Sequence, residues 1–248
     1  MKKTLLSLLF AAATLAAGEI NIAVAANVSY AIEELKAEFA KVSPETKVQV
    51  TLGSSGKLTA QIKNGAPYGL FMAANMKYPE ALHADGIAVT EPVVYAQGAL
   101  AYLSAKPTDF SRGIALIAED SIKKVAIANP KTAPYGKAAV EAMKNGGVLG
   151  AAEQKFVYAE SISQTVTYAV TAADIGFIAK SSLYSGKMAQ YKEGVNWEAV
   201  DPKLYTPIKQ GIVLLKQGEG NAEYRAFYDF ILGEKAKTIF KNYGYIVQ

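Results

Sequence analysis

Cysteine is missing from this 248-residue chain, and histidine occurs once, at His83. Without cysteine there are no disulfides, no thiol chemistry and no lipid-bearing N-terminal thiol. One histidine removes most metal sites and imidazole-based triads together. It stands in the polar stretch ALHADG and reads as a surface residue near a helix end. Charge of one sign is scarce as well: 26 Lys and Arg stand against 22 Asp and Glu, with no basic run. Nucleic acid and anionic membranes are therefore not expected as partners. No cofactor and no metal ligated by the protein is expected either.

What the chain does contain is apolar material, 51% of residues against 19% charged, the balance of a packed globular protein. Its length suits one large domain or two of roughly 100–150 residues. Residues 1–18 (MKKTLLSLLFAAATLAAG) combine a charged start, an apolar run and a small-residue end, the pattern of a cleavable secretory signal peptide. The apolar run is too short to span a bilayer. A periplasmic, monomeric mature chain with no membrane insertion is expected. Cleavage near Ala17 or Gly18 would remove Lys2 and Lys3 and leave 24 basic residues against 22 acidic ones.

Residues 51–72 (TLGSSGKLTAQIKNGAPYGLFM) carry the densest turn signals. Val48, Val50 and Leu52 alternate as in a strand, Gly53 to Gly56 make a turn, and Leu58 and Ile62 recur at helical spacing. Upstream, residues 19–25 read as a strand. Ile32, Leu35, Phe39 and Val42 then form one helix face, with Asn27 or Ser29 as the cap. Strand, helix, strand makes a βαβ unit with parallel, adjacent strands. Residues 70–72, 124–128, 156–159 and 175–179 read as further strands. Asn75 is expected to cap the helix after the first of these, and Gly146-Gly147 to end the helix after the second. Two long apolar runs, 93–103 broken at Gly98 and 205–215, read as crossings between lobes. The expectation is an α/β protein with residues 19–97 and 207–248 in one lobe and 98–206 in the other.

Four times a strand ends, a turn rich in Ser, Asn, Gly or Pro follows, and a helix begins: at Asn27, at Ser54-Ser55, at Pro134-Tyr135 and at residues 161–163. In α/β folds ligands lie beyond the carboxyl ends of the strands, where helix N-termini point. Each N-terminus offers free N–H donors and about half a positive charge. Any one such turn is most simply an ordinary capped helix. Four facing one cleft would hold a small anion without Arg or Lys.

Taken jointly, GSSGKL (53–58), Gln61-Ile62, GAP (65–67), NPKTAPYG (129–136), ESISQ (160–164) and GFIA (176–179) resemble the periplasmic molybdate-binding proteins of ABC importers, the ModA family. The resemblance runs from about Ile20 to the end of the chain. It implies a type II periplasmic-binding-protein fold: two α/β lobes, each a mostly parallel sheet flanked by helices, closing on a tetrahedral oxyanion about a two-strand hinge. It implies a solute-binding protein, without catalysis, that hands molybdate or tungstate to the membrane permease of an ABC importer. Carried over by position, it implies oxyanion contacts at Ala26 and Asn27, and at Ser55 with Ser54 beside it. Backbone N–H groups of Tyr135, whose phenol would matter little, and of Ile162 complete the set. Ala179 stands where another branch of the family has a Tyr, so no hydroxyl donor is assigned there. Tyr68 to Asn75 depart from the family's usual residues and are read as supporting the turn and the next cap.

Donor chemistry separates the anions independently of the resemblance. Molybdate, tungstate and sulfate are fully deprotonated near neutral pH and only accept hydrogen bonds, whereas monohydrogen phosphate also needs an acceptor such as Asp. No Asp stands at the four turns, and Glu160 reads as an exposed residue before a helix, so phosphate is disfavoured. An organic-ligand binder would want an Arg or Asp at the cleft. A serine hydrolase competes with the binding protein. Ser54 to Lys57 fits the S-x-x-K of penicillin-binding enzymes and Lys131-Thr132-Ala133 loosely resembles their K-T-G, though no S-D-N lies between them.

Overall fold

The computed structural model describes residues 18–247, so the expected signal peptide, apart from Gly18, lies outside the described residues. The first half of the chain forms β1 (Gly18–Ala25), α1 (Ile32–Val42), β2 (Thr46–Gly53), α2 (Ser55–Lys63), β3 (Leu70–Ala73), α3 (Lys77–Ala84), β4 (Val93–Gly98) and β5 (Leu100–Leu103). Next come β6 (Val125–Ala128), α4 (Pro134–Asn145), α5 (Leu149–Ala152), β7 (Phe156–Ala159), α6 (Ile162–Thr171), β8 (Ile175–Ala179) and β9 (Trp197–Ala199). The chain closes with β10 (Ile208–Leu214), α7 (Ala222–Leu232) and α8 (Glu234–Asn242).

Two five-stranded sheets organise these elements, in the orders β2-β1-β3-β10-β4 and β7-β6-β8-β5-β9. In the first, β1 is parallel to β2 and β3, while β10 is antiparallel to both its neighbours. In the second, β6 is parallel to β7 and β8, while β5 is antiparallel to both of its neighbours. Each sheet therefore has one reversed strand, fourth in the order, and is otherwise parallel. This is the two-lobed α/β arrangement expected from the alternation of strands and helices. Only Ala99 separates β4 from β5, so the chain passes from one sheet to the other within a residue and returns between β9 and β10.

Each sheet has its own core. Ile20, Ile22 and Val24 of β1 pack with Leu35 and Phe39 of α1 and with Phe227 of α7, the rings of Phe39 and Phe227 meeting edge-on at 5.0 Å. In the second lobe Tyr102, Ile127, Met143 and Phe177 are the counterpart. Burying each such side chain is worth about 1.5–3 kcal/mol, which fixes helices to sheets and, through them, the turns at the strand ends.

Local differences from the sequence pattern have physical causes. Val42 is 72% exposed: at about 100° per residue it lies some 80° round from Ile32, at the edge of the apolar stripe. Asn27 and Ser29 do not cap α1, because a 3-10 segment, Ala26–Tyr30, intervenes and Ala31 takes the cap position without a side-chain bond. Nor does Asn75 cap α3, where Met76 stands instead. Among the described residues no helix is long and apolar enough to cross a membrane.

Candidate ligand-binding site

Ala26, Asn27, Ser54, Ser55, Tyr135 and Ile162 line one small cavity of about 10 Å³, walled further by Gly53, Ala74 and Pro134. All six are buried. They arrive on four separate stretches, each just beyond a strand of one sheet or the other. The sequence-derived positions are thus brought together, and the carboxyl ends of β1, β2, β6 and β7 do the gathering.

Ser54 has the extended backbone of an N-cap (φ −68°, ψ 145°), yet its hydroxyl makes no cap bond to α2. It makes no other hydrogen bond either, although Ser54 is only 4% exposed. A buried polar group without a partner costs roughly 1–3 kcal/mol, so an unanswered hydroxyl at a cavity wall invites a ligand atom. Ser55 is set differently. Its Oγ accepts from the Ala74 N–H at 2.9 Å, which leaves its own proton free to donate. Ala74, read from sequence as supporting the next cap, thereby orients a cavity hydroxyl.

The second lobe contributes helix starts. Pro134 opens α4 and Tyr135 follows it, so the Tyr135 N–H lies in the first turn, where helices have no acceptor of their own. At α6, Ser161 is a working cap: its Oγ accepts from the Gln164 N–H at 3.3 Å. Ile162 is the first residue of that helix, and its N–H likewise has no intrahelical acceptor. No carboxylate or ammonium lines the cavity. Its donors are neutral, backed by helix dipoles.

The side chains of two site residues are engaged inside the protein. The Asn27 side chain is not a free donor, since its Nδ2 donates to Gln210 Oε1 at 2.9 Å and to the Tyr245 hydroxyl at 3.0 Å. Its backbone carbonyl accepts from Tyr245 at 2.8 Å and from Ser181 at 3.3 Å, while its Oδ1 has no partner. The donor that Asn27 can still offer a ligand is its backbone N–H. The Tyr135 phenol, expected to matter little, accepts from Gln210 Nε2 at 3.1 Å in the buried interior. Burial holds the phenols of Tyr95 and Tyr135 well above the ordinary tyrosine range and that of Tyr245 up to about 12. Gln210, Tyr95 and Tyr245 were not legible as site supports. The one available signal was a polar Gln inside the apolar run 205–215.

The lobes touch across the cavity mouth. The Gly56 N–H donates to the Thr132 carbonyl at 2.8 Å, and a Cβ at Gly56 would sit 3.0 Å from that backbone. Lys57 of α2 pairs with Glu160, just before α6, so Glu160 is a partner across the cleft rather than a bystander. The same pair leaves the S-x-x-K elements unassembled here: the Lys57 ammonium is engaged by a carboxylate, and the Ser54 hydroxyl has no hydrogen-bond partner. A larger cleft of about 470 Å³ lies elsewhere on the second lobe. Its charges answer one another, Arg112 with Glu119, and Asp174 with the N–H groups of Lys123 and Lys124.

The family model for bacterial extracellular solute-binding proteins matches residues 20–246. The chain is 38% identical over 234 residues to the molybdate-binding protein ModA of Azotobacter vinelandii, covering 94% of this chain and 91% of that one. It is 39% identical over 235 residues to ModA of Rhodobacter capsulatus, covering 94% and 90%. The solved structure of the Azotobacter vinelandii periplasmic molybdate-binding protein aligns with a TM-score of 0.83 at 32% identity, over 92% of this chain and 99% of that one.

Proposed function

The chain belongs to the ModA family of bacterial extracellular solute-binding proteins, and on that premise we propose that it captures molybdate or tungstate in the periplasm for an ABC importer. One observation supports this most directly: six positions from two lobes line a single buried cavity furnished with neutral donors. Hydroxyls of Ser54 and Ser55 and N–H groups of Ala26, Asn27, Tyr135 and Ile162 hold the dianion. In a water-poor cavity each such hydrogen bond to a charged acceptor is strengthened. With no carboxylate on the wall, there is no anionic acceptor for the proton of monohydrogen phosphate. Molybdenum or tungsten enters inside the oxyanion, not as a metal ligated by the protein, and no bond is made or broken.

Residues 19–97 with 207–248, and residues 98–206, are the two moving bodies. Contacts from both to one anion stabilise the closed arrangement, which is how ligand binding couples to a hinge. The closed monomer docks on the membrane permease, having reached the periplasm by way of a signal peptide over residues 1–18.

Calorimetric titration of the chain from Gly18 onward with molybdate, tungstate, sulfate and phosphate tests this. Tight binding of the first two with little of the others is expected. Silence toward all four sinks the oxyanion assignment.

A further inference from the structure

Asn27 and Tyr135, on opposite sides of the cavity, are tied to one residue that does not line it. Gln210 lies on β10, 0% exposed, where the pairing with β4 shifts register between Gln210 and Gly211. Its carbonyl oxygen accepts from Asn27 Nδ2 at 2.9 Å and from the Tyr95 hydroxyl at 2.8 Å, while its Nε2 donates to the Tyr135 hydroxyl at 3.1 Å. One neutral amide therefore joins the segment after β1, in one lobe, to the first turn of α4, in the other.

Gly98 makes the junction possible. It is the last residue of β4 before the chain crosses, and a Cβ there would stand 1.9 Å from the Tyr135 hydroxyl oxygen and 2.7 Å from Gln210 Nε2. Any side chain at that position would displace the Tyr135 ring and the Gln210 amide from their present contact.

We infer that Gln210 is a positioning residue for the ligand site, aligning the backbone donors of Asn27 and Tyr135 from the strand beside the lobe crossing. This rests on the oxyanion reading above. When the lobes separate, α4 moves relative to β10, and the Gln210–Tyr135 bond is the member of the network that spans that movement. Breaking it leaves a buried amide N–H without a partner, a state that costs free energy and so favours closure. Linked hydrogen bonds of this kind act as a unit and not as separate pairs.

The test is a cycle of Tyr135→Phe, Gln210→Met and the double variant, with sodium molybdate affinity measured by calorimetry and thermal unfolding measured without ligand. Each single change is expected to raise Kd about tenfold, and the double variant to be no weaker than about tenfold, because either change already breaks the unit. Gly98→Ala removes no hydrogen-bonding group and no cavity wall, and it too is expected to weaken binding about tenfold. Losses that multiply to about a hundredfold in the double variant would overturn the inference. So would a lowered Tm with unchanged Kd, the mark of a purely structural role. Failure of the unaltered chain to bind any oxyanion would instead overturn the assignment of the site, and this inference with it.

Discussion

Ser54 in the first lobe and Ser161 in the second each follow a strand, each adopt extended backbone and each stand at the N-cap of a helix. Ser161 uses its oxygen locally, on the Gln164 N–H. Ser54 does not, and its hydroxyl has no partner in the protein. An N-cap bond is typically worth 0.5–2 kcal/mol, so the first lobe forgoes a stabilisation that the second lobe takes. What it keeps is a free hydroxyl at the cavity wall, beside Ser55, whose oxygen is held by Ala74. In the proposed site the lobes thus differ in their donors: both side-chain hydroxyls come from the first, beside the N–H groups of Ala26 and Asn27, whereas the second gives only backbone N–H groups at helix starts.

Removing a donor from the first lobe should have the largest effect. Ser55→Ala is expected to cost about 1.5–3 kcal/mol of oxyanion affinity, the range for a hydrogen bond to a charged group. An unchanged Kd by calorimetry would take Ser55 out of the site. The two cap serines then separate. Ser161→Ala should lower unfolding stability by about 1 kcal/mol with little change in Kd, as for any working cap. Ser54→Ala should do the reverse, weakening binding while holding or raising Tm, because it removes a buried hydroxyl that has no partner. If Ser54→Ala destabilises the ligand-free protein as much as Ser161→Ala does, the contrast between the lobes is lost.

Why the site was partly legible follows from the same contrast. Backbone donors need only a strand, a turn and a helix in the right order, and residues 53–58 and 160–164 announce these in their composition. The alternation of strands and helices likewise foretold two mostly parallel sheets. What escaped was long-range. The partners of Asn27, namely Gln210 and Tyr245, lie 183 and 218 residues away in the chain, and no local pattern encodes such a meeting. Tyr135 was half legible for a related reason: its place at a helix start is local information, whereas the destination of its hydroxyl is tertiary. The caps at Asn27 and Asn75 failed for backbone reasons: a 3-10 segment stands between Asn27 and α1, and Met76 takes the cap position of α3, leaving the Asn75 Oδ1 buried without a partner.

A smaller effect is expected where the lobes meet outside the cavity. Lys57 and Glu160 are about half exposed, at 52% and 60% of their side chains, and exposed pairs are worth roughly 0–1 kcal/mol after solvent screening. Lys57→Ala should speed ligand release slightly at low salt, and the difference from the unaltered chain should vanish as ionic strength rises. A large loss that persists in high salt would mean that Lys57 acts on the anion itself, and the all-neutral donor set would then be wrong.

The smallest effect of all is expected from pH. Neither lobe's donor set contains a group that titrates near neutrality, so the affinity should be flat between about pH 7 and 9. The supporting phenols reinforce this. Burial, the larger influence, outweighs the hydrogen bonds to Ser181 and Asn27 and carries Tyr245 from 10.0 to about 12, and burial raises Tyr95 and Tyr135 as well. Because ionisation is harder in the folded protein than in the unfolded chain, raising the pH favours unfolding. Stability from the neutral phenol is therefore in full force below the unfolded value of 10.0 and lost as pH climbs through about 12. Calorimetric titrations across the neutral range, paired with unfolding curves above about pH 10, separate the two behaviours. A Kd that instead moves tenfold between about pH 7 and 9 would require a titrating group at the anion, on one lobe or the other, and would end the division of labour between hydroxyls and backbone.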